Sequence, residues 1–210
     1  MQKLKIGRIV LGSCQTNCYF VYRDGEKQAI VFDPADQGSH LYEKLTENGF
    51  QIVGILLTHG HFDHILGCAK LKELSGAKIY AYEKEKVLCE DPFVNVSAQT
   101  GRSCTVEVDE YVKDGQEITL ADMTCKVLAT PGHTVGSCCY YFEEAGILVA
   151  GDTLFQESVG RTDLATGSMS ALARSVKDKL FLLPDETKVY PGHGEPTTIG
   201  HEKEYNPFVQ

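Results

Sequence analysis

Three histidines and one aspartate fall within six consecutive residues of this chain, at His59, His61, Asp63 and His64. Residues 52–57 before them form a short apolar run rich in branched side chains, which predicts a buried strand. After them, apolar residues recur at roughly helical spacing until Gly76, which predicts a helix. Because imidazole and carboxylate groups bind zinc, iron or manganese, the loop between strand and helix is a candidate metal site.

The spacing within this cluster favours two metal ions over one. His59 and His61 alternate, as an extended loop allows, whereas Asp63 and His64 are adjacent, so their side chains are expected to diverge. The alternative is a chance cluster of polar residues in a turn. Because four candidate ligands come directly after a buried strand, a metal site is favoured over a chance cluster by roughly ten to one.

Three further candidate ligands share this setting, because each follows a predicted strand and has a glycine beside it. They are His133 in T-P-G-H-T, Asp152 in G-D-T and His193 in P-G-H-G. Proline and glycine permit a tight turn that presents a side chain clear of a sheet. Each could be only a turn residue, but four such strand ends are more easily explained by convergence on one site. His40 and His201 lack this setting and are expected on the surface.

The elements that must position these residues include two predicted strand-rich stretches. In the first, strands at residues 18–22 and 29–32 flank Asp24-Gly25, which predicts a hairpin turn. In the second, Asp114-Gly115 is predicted to form another hairpin turn.

Amphipathic spacing predicts helices over residues 39–48 and 169–180, the second with Ser168 as its N-terminal cap. Periodicity alone therefore predicts a mixed α and β chain, and the length of 210 residues favours a single domain over residues 1–210.

Composition excludes several classes of protein. The formal net charge of -9 argues against a general nucleic-acid or membrane-surface binder. No stretch approaches the ~20 apolar residues of a membrane span, and the alternating N-terminus does not resemble a signal peptide. The eight cysteines are scattered and include no C-x-x-C pair, so reduced thiols and a cytoplasmic location are expected.

The motif T-H-G-H-F-D-H at residues 58–64, with His133, Asp152 and His193, resembles that of the metallo-β-lactamase superfamily. Within it, the chain is similar to the glyoxalase II-like hydrolases. The motifs that carry this similarity are G-D-T-L-F at 151–155, G-R-T-D at 160–163, P-G-H-G-E-P-T-T at 191–198 and N-P-F at 206–208. The resemblance implies an α/β fold of four αββα layers, in which two mixed sheets are flanked by helices.

The resemblance also implies a role for each candidate ligand and a cofactor of two divalent metal ions. Zinc is the first expectation, with iron or manganese as alternatives. The ligands of the first ion would be His59, His61 and His133, those of the second Asp63, His64 and His193, and Asp152 would bridge the two.

Three other residues are expected near the site. Asp33 resembles a position that supports a metal ligand, although an ordinary turn aspartate before Pro34 explains it equally well. Arg161 and Asp163 are expected to form a structural ion pair, by roughly two to one over a catalytic role.

The implied activity is hydrolysis of small acyl thioesters, such as S-lactoylglutathione, by a metal-bridging hydroxide that Asp63 orients. The alternative is persulfide dioxygenation by a single iron ion, because relatives with that activity share much of the motif set, including G-R-T-D. A non-enzymatic metal-binding protein is poorly supported by a full ligand set, and β-lactamase activity is not expected without a secretion signal.

Full-length glyoxalase II enzymes also carry a C-terminal helical domain that holds glutathione. This chain ends soon after its last ligand motif, so no such added domain and only weak binding of a glutathione portion are expected.

Overall fold

The structure, a computed structural model that describes residues 2–209, contains two six-stranded β-sheets. The first follows chain order: β1 (Leu4–Leu11), β2 (Thr16–Arg23), β3 (Gln28–Phe32), β4 (Gln51–Leu56), β5 (Ile79–Tyr82) and β6 (Glu110–Val112). Strands β1 to β3 pair antiparallel, which confirms the predicted hairpin at Asp24-Gly25. Strands β3 to β6 pair parallel, so the sheet is mixed.

The second sheet contains β7 (Glu117–Leu120), β8 (Met123–Ala129), β9 (Cys138–Phe142), β10 (Ile147–Gly151), β13 (Lys188–Pro191) and β14 (Thr197–Thr198). Its spatial order is β14-β13-β10-β9-β8-β7. Strands β10 and β13 pair parallel, and the other neighbours pair antiparallel. A small separate hairpin is formed by β11 (Leu154–Phe155) and β12 (Ser158–Val159).

The helices are α1 (Gly38–Glu47), α2 (Phe62–Ile65), α3 (Cys68–Ser75), α4 (Lys86–Glu90), α5 (Met169–Asp178) and α6 (Ile199–Tyr205). Short 3₁₀ turns cover Glu83–Glu85, Ser97–Gln99, Glu143–Ala145 and Leu180–Leu182. The hydroxyl of Ser168 accepts a hydrogen bond from the Ala171 backbone, so the predicted cap of α5 is confirmed. Within residues 2–209, no helix is long and apolar enough to span a membrane.

Three apolar layers hold these elements together. Between the sheets, Phe32 packs against Tyr140 and Phe142, with ring centroids 5.4 and 6.0 Å away. Leu41 of α1 packs on the outer face of the first sheet, beside α3, and Val176 of α5 packs on the outer face of the second. The layers therefore run helix, sheet, sheet, helix, and the predicted αββα arrangement is confirmed.

The predicted hairpin at Asp114-Gly115 is wrong. These residues do form a turn, with Gly115 at φ 76°, but β6 before it pairs with β5 and β7 after it pairs with β8. The turn therefore carries the chain from one sheet to the other. An Asp-Gly pair favours a reversal of the chain, but which strands pair is decided by packing over the whole sandwich.

Four strands that precede the candidate ligands end at one edge of the sandwich. Strands β8 and β10 are both antiparallel to β9 between them, and β13 is parallel to β10. The backbone N–H of Cys138 at the start of β9 donates to the carbonyl of Thr58, just after β4, at 2.9 Å. This bond joins the two sheets at the edge where the ligands lie.

Candidate metal centre

His59, His61 and His133 form the first group of candidate ligands. His59 Nε2 lies 3.2 Å from His133 Nε2, and His61 Nδ1 lies 2.8 Å from the same atom. All three side chains are buried, and their ligand atoms lie within 4.8 Å of one another. Zinc–nitrogen bonds of about 2.05 Å in a tetrahedron place neighbouring nitrogens about 3.3 Å apart, so these three atoms fit a single ion.

The ring orientation of His133 is fixed from behind by the backbone. Its Nδ1 lies 2.7 Å from the carbonyl oxygen of Arg161. A carbonyl can only accept, so Nδ1 carries the proton and donates, and Nε2 presents its lone pair to the other two histidines.

Asp63, His64 and His193 form the second group. His193 Nε2 lies 3.3 Å from Asp63 Oδ2 and 3.4 Å from His64 Nε2. The Nδ1 atom of His64 donates to Asp33 Oδ2 at 3.0 Å, and that of His193 donates to the Cys14 carbonyl at 3.2 Å. Both rings therefore turn Nε2 toward the centre of the group, as metal ligands do.

Asp152 lies between the two groups. Its Oδ1 is 3.4 Å from His64 Nε2, and its Oδ2 is 3.5 Å from His133 Nε2. Oδ1 is buried and has no hydrogen-bond partner of acceptable geometry in the described part of the chain. A Cβ atom at Gly192 would overlap Oδ1, so glycine leaves the space that this oxygen occupies. A buried carboxylate oxygen without a donor fits a bound cation.

Burial controls protonation in the first group. It lowers the pKa of His59 well below the usual value, and the neighbouring imidazoles add to this effect. It lowers the pKa of His61 to about 3, with His133 acting in the same direction. Both rings are therefore neutral at pH 7, and their lone pairs are available to a cation.

In the second group, opposite charges outweigh burial. Burial alone would lower the pKa of His64, but Asp152 and Asp63 raise it well above the usual value. Burial is likewise outweighed at His193, whose pKa is raised by its hydrogen bond to Asp63 and by Asp152. Burial opposes ionisation of Asp63 as well, yet His64 and His193 lower its pKa. This group therefore holds protons that a metal ion would displace.

Asp33 supports both the loop after β4 and a candidate ligand. Its Oδ1 accepts from the Thr58 N–H at 2.8 Å, and its Oδ2 accepts from the Thr58 hydroxyl at 2.6 Å and from His64 Nδ1. Asp33 is buried and has φ 47°, a left-handed conformation that is uncommon outside glycine. These contacts are those expected of a residue that supports the candidate ligand His64.

Arg161 and Asp163 form an exposed ion pair at the rim. Two bonds of 2.7 and 2.8 Å join them, with side chains 61% and 68% exposed, so the pair contributes little to stability. Arg161 contacts the histidine group through its backbone carbonyl. His40 is exposed, and His201 pairs with Glu157 away from both groups.

Two residues beside the site were not found by sequence reasoning. Asn17 donates from its side-chain amide to the carbonyls of Pro191 and Gly194, on either side of His193. No local pattern in the sequence marks Asn17 as part of the site. Glu85 is buried beside Gly60 and Thr134, although it belongs to a charged run that is typical of a solvated surface.

A model described as the metallo-beta-lactamase superfamily matches residues 11–193. Among curated proteins, "Probable metallo-hydrolase YqgX" of Bacillus subtilis strain 168 is 35% identical over 98% of both chains. "Hydroxyacylglutathione hydrolase GloC" of Haemophilus influenzae strain Rd is 33% identical, again over 98% of both chains.

Several solved structures are similar to this chain over most of its length. The B3 metallo-beta-lactamase BLEG-1 is 39% identical with a TM-score of 0.93, over 98% of this chain and 100% of the other. TTHA1623, solved in a di-iron-bound form, is 33% identical with a TM-score of 0.84, over 96% and 99%. ETHE1 from Myxococcus xanthus is 28% identical with a TM-score of 0.78, over 97% and 83%.

Proposed function

This chain belongs to the metallo-beta-lactamase superfamily and is a metal-dependent hydrolase, and we propose that it cleaves small acyl thioesters with two divalent metal ions. The observation that carries the two-ion assignment is the position of Asp152 between the two groups: Oδ1 lies 3.4 Å from His64 Nε2, and Oδ2 lies 3.5 Å from His133 Nε2 and 3.6 Å from His193 Nε2. A single ion bound by His59, His61 and His133 would not explain why the ligand atoms of Asp63, His64 and His193 also converge.

The ligand assignment follows the two groups. His59, His61 and His133 would hold one ion, Asp63, His64 and His193 would hold the other, and Asp152 would serve as a ligand to both. Zinc suits this set of imidazole and carboxylate ligands, and iron suits it as well, since iron is bound in the relative TTHA1623. When bound, two such ions polarise a carbonyl and lower the pKa of water toward neutrality.

The protein groups orient the reaction. Asp63 Oδ2 accepts a hydrogen bond from Thr16 Oγ1 at 3.4 Å, which orients the carboxylate to accept a hydrogen bond from the attacking water and align it with the carbonyl carbon. No nucleophilic side chain is required. Burial raises the pKa of the thiols of Cys18, Cys68 and Cys138 well above the usual value, so these thiols are poor nucleophiles.

A thioester is the proposed substrate because the relative GloC is named a hydroxyacylglutathione hydrolase and matches the whole length of this chain. The alternative is persulfide dioxygenation by one iron ion, because relatives with that activity share the Gly160-Arg161-Thr162-Asp163 motif. Thioester hydrolysis needs only a polarised carbonyl and water, whereas dioxygenation needs a redox-active metal with an open position for oxygen.

The test is a set of matched assays on one preparation. Zinc-loaded protein is expected to release free thiol from S-lactoylglutathione under anaerobic conditions, and iron-loaded protein is expected to consume no oxygen with glutathione persulfide. A β-lactam is assayed in parallel because of the BLEG-1 similarity. Asp152→Ala, which disrupts both proposed ion sites, serves as the inactive control. Oxygen uptake that requires iron, without thiol release under zinc, would overturn the proposal, as would faster hydrolysis of the β-lactam.

A further inference from the structure

Glu85 is a buried carboxylate that joins two ligand-bearing loops, one from each sheet. Its Oε1 accepts a hydrogen bond from the backbone N–H of Gly60 at 2.7 Å, and its Oε2 accepts from the Thr134 hydroxyl at 2.9 Å. The backbone N–H of Gly136 donates to the same carboxylate. Gly60 stands between His59 and His61, and Thr134 directly follows His133.

The backbone around Glu85 fits tightly against both loops. A Cβ atom at Gly136 would overlap the backbone nitrogen of Glu85, and one at Gly60 would lie 2.8 Å from Leu88 Cβ. Glycine at these two positions therefore allows the segment that carries Glu85 to pack between the loops. The carboxylate then fills the space between the loops and faces three hydrogen-bond donors.

We propose that Glu85 is a positioning residue that sets the distance between the loop of His59 and His61 and the loop of His133, and so sets the geometry of the three-histidine metal site. It touches none of the three histidines and acts through Gly60 and Thr134. The inference deepens the proposed function, because it rests on the metal centre proposed above.

The chemistry of the position requires an acceptor with two oxygens. Glutamine keeps the shape of the side chain but replaces one oxygen by an N–H₂ group, which cannot accept from a backbone N–H and which can face the Thr134 hydroxyl only if that hydroxyl turns to accept. Glu85→Gln therefore removes or rearranges a bond between the two loops. Burial raises the pKa of Glu85 to about 7, although its three hydrogen bonds oppose that shift. A carboxyl group at a position where burial disfavours its charge costs stability, whereas its two oxygens bond both ligand-bearing loops.

Glu202 provides a matched control. It is also fully buried, its Oε1 accepts from the Thr197 hydroxyl at 2.6 Å, and its Oε2 accepts from Glu157 N–H and the Asn206 amide at 2.9 and 2.8 Å. It therefore has the same type of environment and the same number of donors, but the groups that these bonds connect are not proposed ligands. Glu202→Gln should disturb the fold about as much as Glu85→Gln without moving the histidine loops.

The experiment measures cobalt(II) binding and the cobalt absorption spectrum, with circular dichroism and Tm of the metal-free proteins as checks of folding. Each variant is also made in a His193→Ala background, which leaves the three-histidine group as the complete site. There, Glu85→Gln is expected to weaken cobalt binding about 10- to 100-fold and to change the spectrum, as loss of a group that orients ligands does. Glu202→Gln is expected to bind cobalt like its parent.

If Glu85→Gln has the same cobalt affinity and the same cobalt spectrum as its parent, the inference is wrong, although the proposed metal centre still stands. Equal weakening by Glu202→Gln would overturn it as well, since the effect would then be general loosening of the fold. Parent protein that binds no cobalt would overturn the metal centre itself, and the inference with it.

Discussion

At the scale of single residues, the two carboxylates of the centre differ in what they touch. Asp152 faces both ligand groups, whereas the histidines that pair with Asp63 are His64 and His193 of the second group. Asp152→Ala is therefore expected to lose most of both metal ions, and Asp63→Ala to retain the ion of the three-histidine group. Elemental analysis after equilibration with zinc measures this difference. Retention of both ions in Asp152→Ala would remove its assignment as the bridging ligand.

Protonation also separates the two groups. The pKa of His61 is lowered to about 3 and that of His59 is lowered well below the usual value, so acidification to pH 6 leaves these two rings of the first group neutral. The pKa values of His64 and His193 are raised, so protons compete with the second ion, and this competition grows as the pH falls. We expect the affinity for the second zinc ion to fall more steeply between about pH 8 and pH 6 than that for the first. Calorimetric titrations with zinc at several pH values measure these affinities, and titrations in buffers of different ionisation enthalpy also count the displaced protons. An equal pH dependence of the two zinc affinities would contradict this prediction.

At the scale of elements, the ligands depend on how closely the loops at the strand ends approach one another. The loop after β13 passes so near Asp152 and His64 that a methyl group at Gly192 would overlap the Asp152 carboxylate. Gly192→Ala is therefore expected to reduce zinc content to about one ion or less and to lower hydrolysis at least tenfold.

Gly194→Ala is the control for that substitution. Its added methyl group would meet no atom within 4 Å, although φ 77° makes the substitution mildly strained. It should lose some thermal stability and keep its metal. If Gly192→Ala and Gly194→Ala bind zinc equally well, the close packing of Gly192 against Asp152 is not required for metal binding.

The elements also show how far the sequence could be interpreted. The strand ends with their ligands could be predicted, because apolar runs, glycine, proline and histidine are local signals. The turn at Asp114-Gly115 was misassigned, since its local signal does not specify the partner strand. Glu85 was missed because burial of a charged residue depends on loops about 25 and 50 residues away, which no local pattern records. The four layers came from the family resemblance, as periodicity alone predicts only mixed α and β structure.

At the scale of the whole molecule, the proposed metal centre lies where the two sheets meet. The first sheet supplies the proposed ligands at residues 59–64, and the second supplies His133, Asp152 and His193. Each ligand group, together with Asp152, contains side chains from both sheets. Bound ions would therefore link the two halves of the sandwich, in addition to the apolar layer around Phe32 and Phe142.

Removal of the metal should for this reason lower the stability of the entire fold. An ion bound at a free concentration 1,000-fold above its Kd stabilises the folded state by about 4 kcal/mol, which for a chain of this length corresponds to roughly 8–16 °C in Tm. We expect a chelator to lower Tm by that order and zinc to restore it. Asp152→Ala, which lacks a ligand to both ions, should respond little to either treatment. Elemental analysis must show that the chelated wild-type protein has lost its zinc. If that protein still melts at an unchanged temperature, the two sheets are held together by their apolar layer alone.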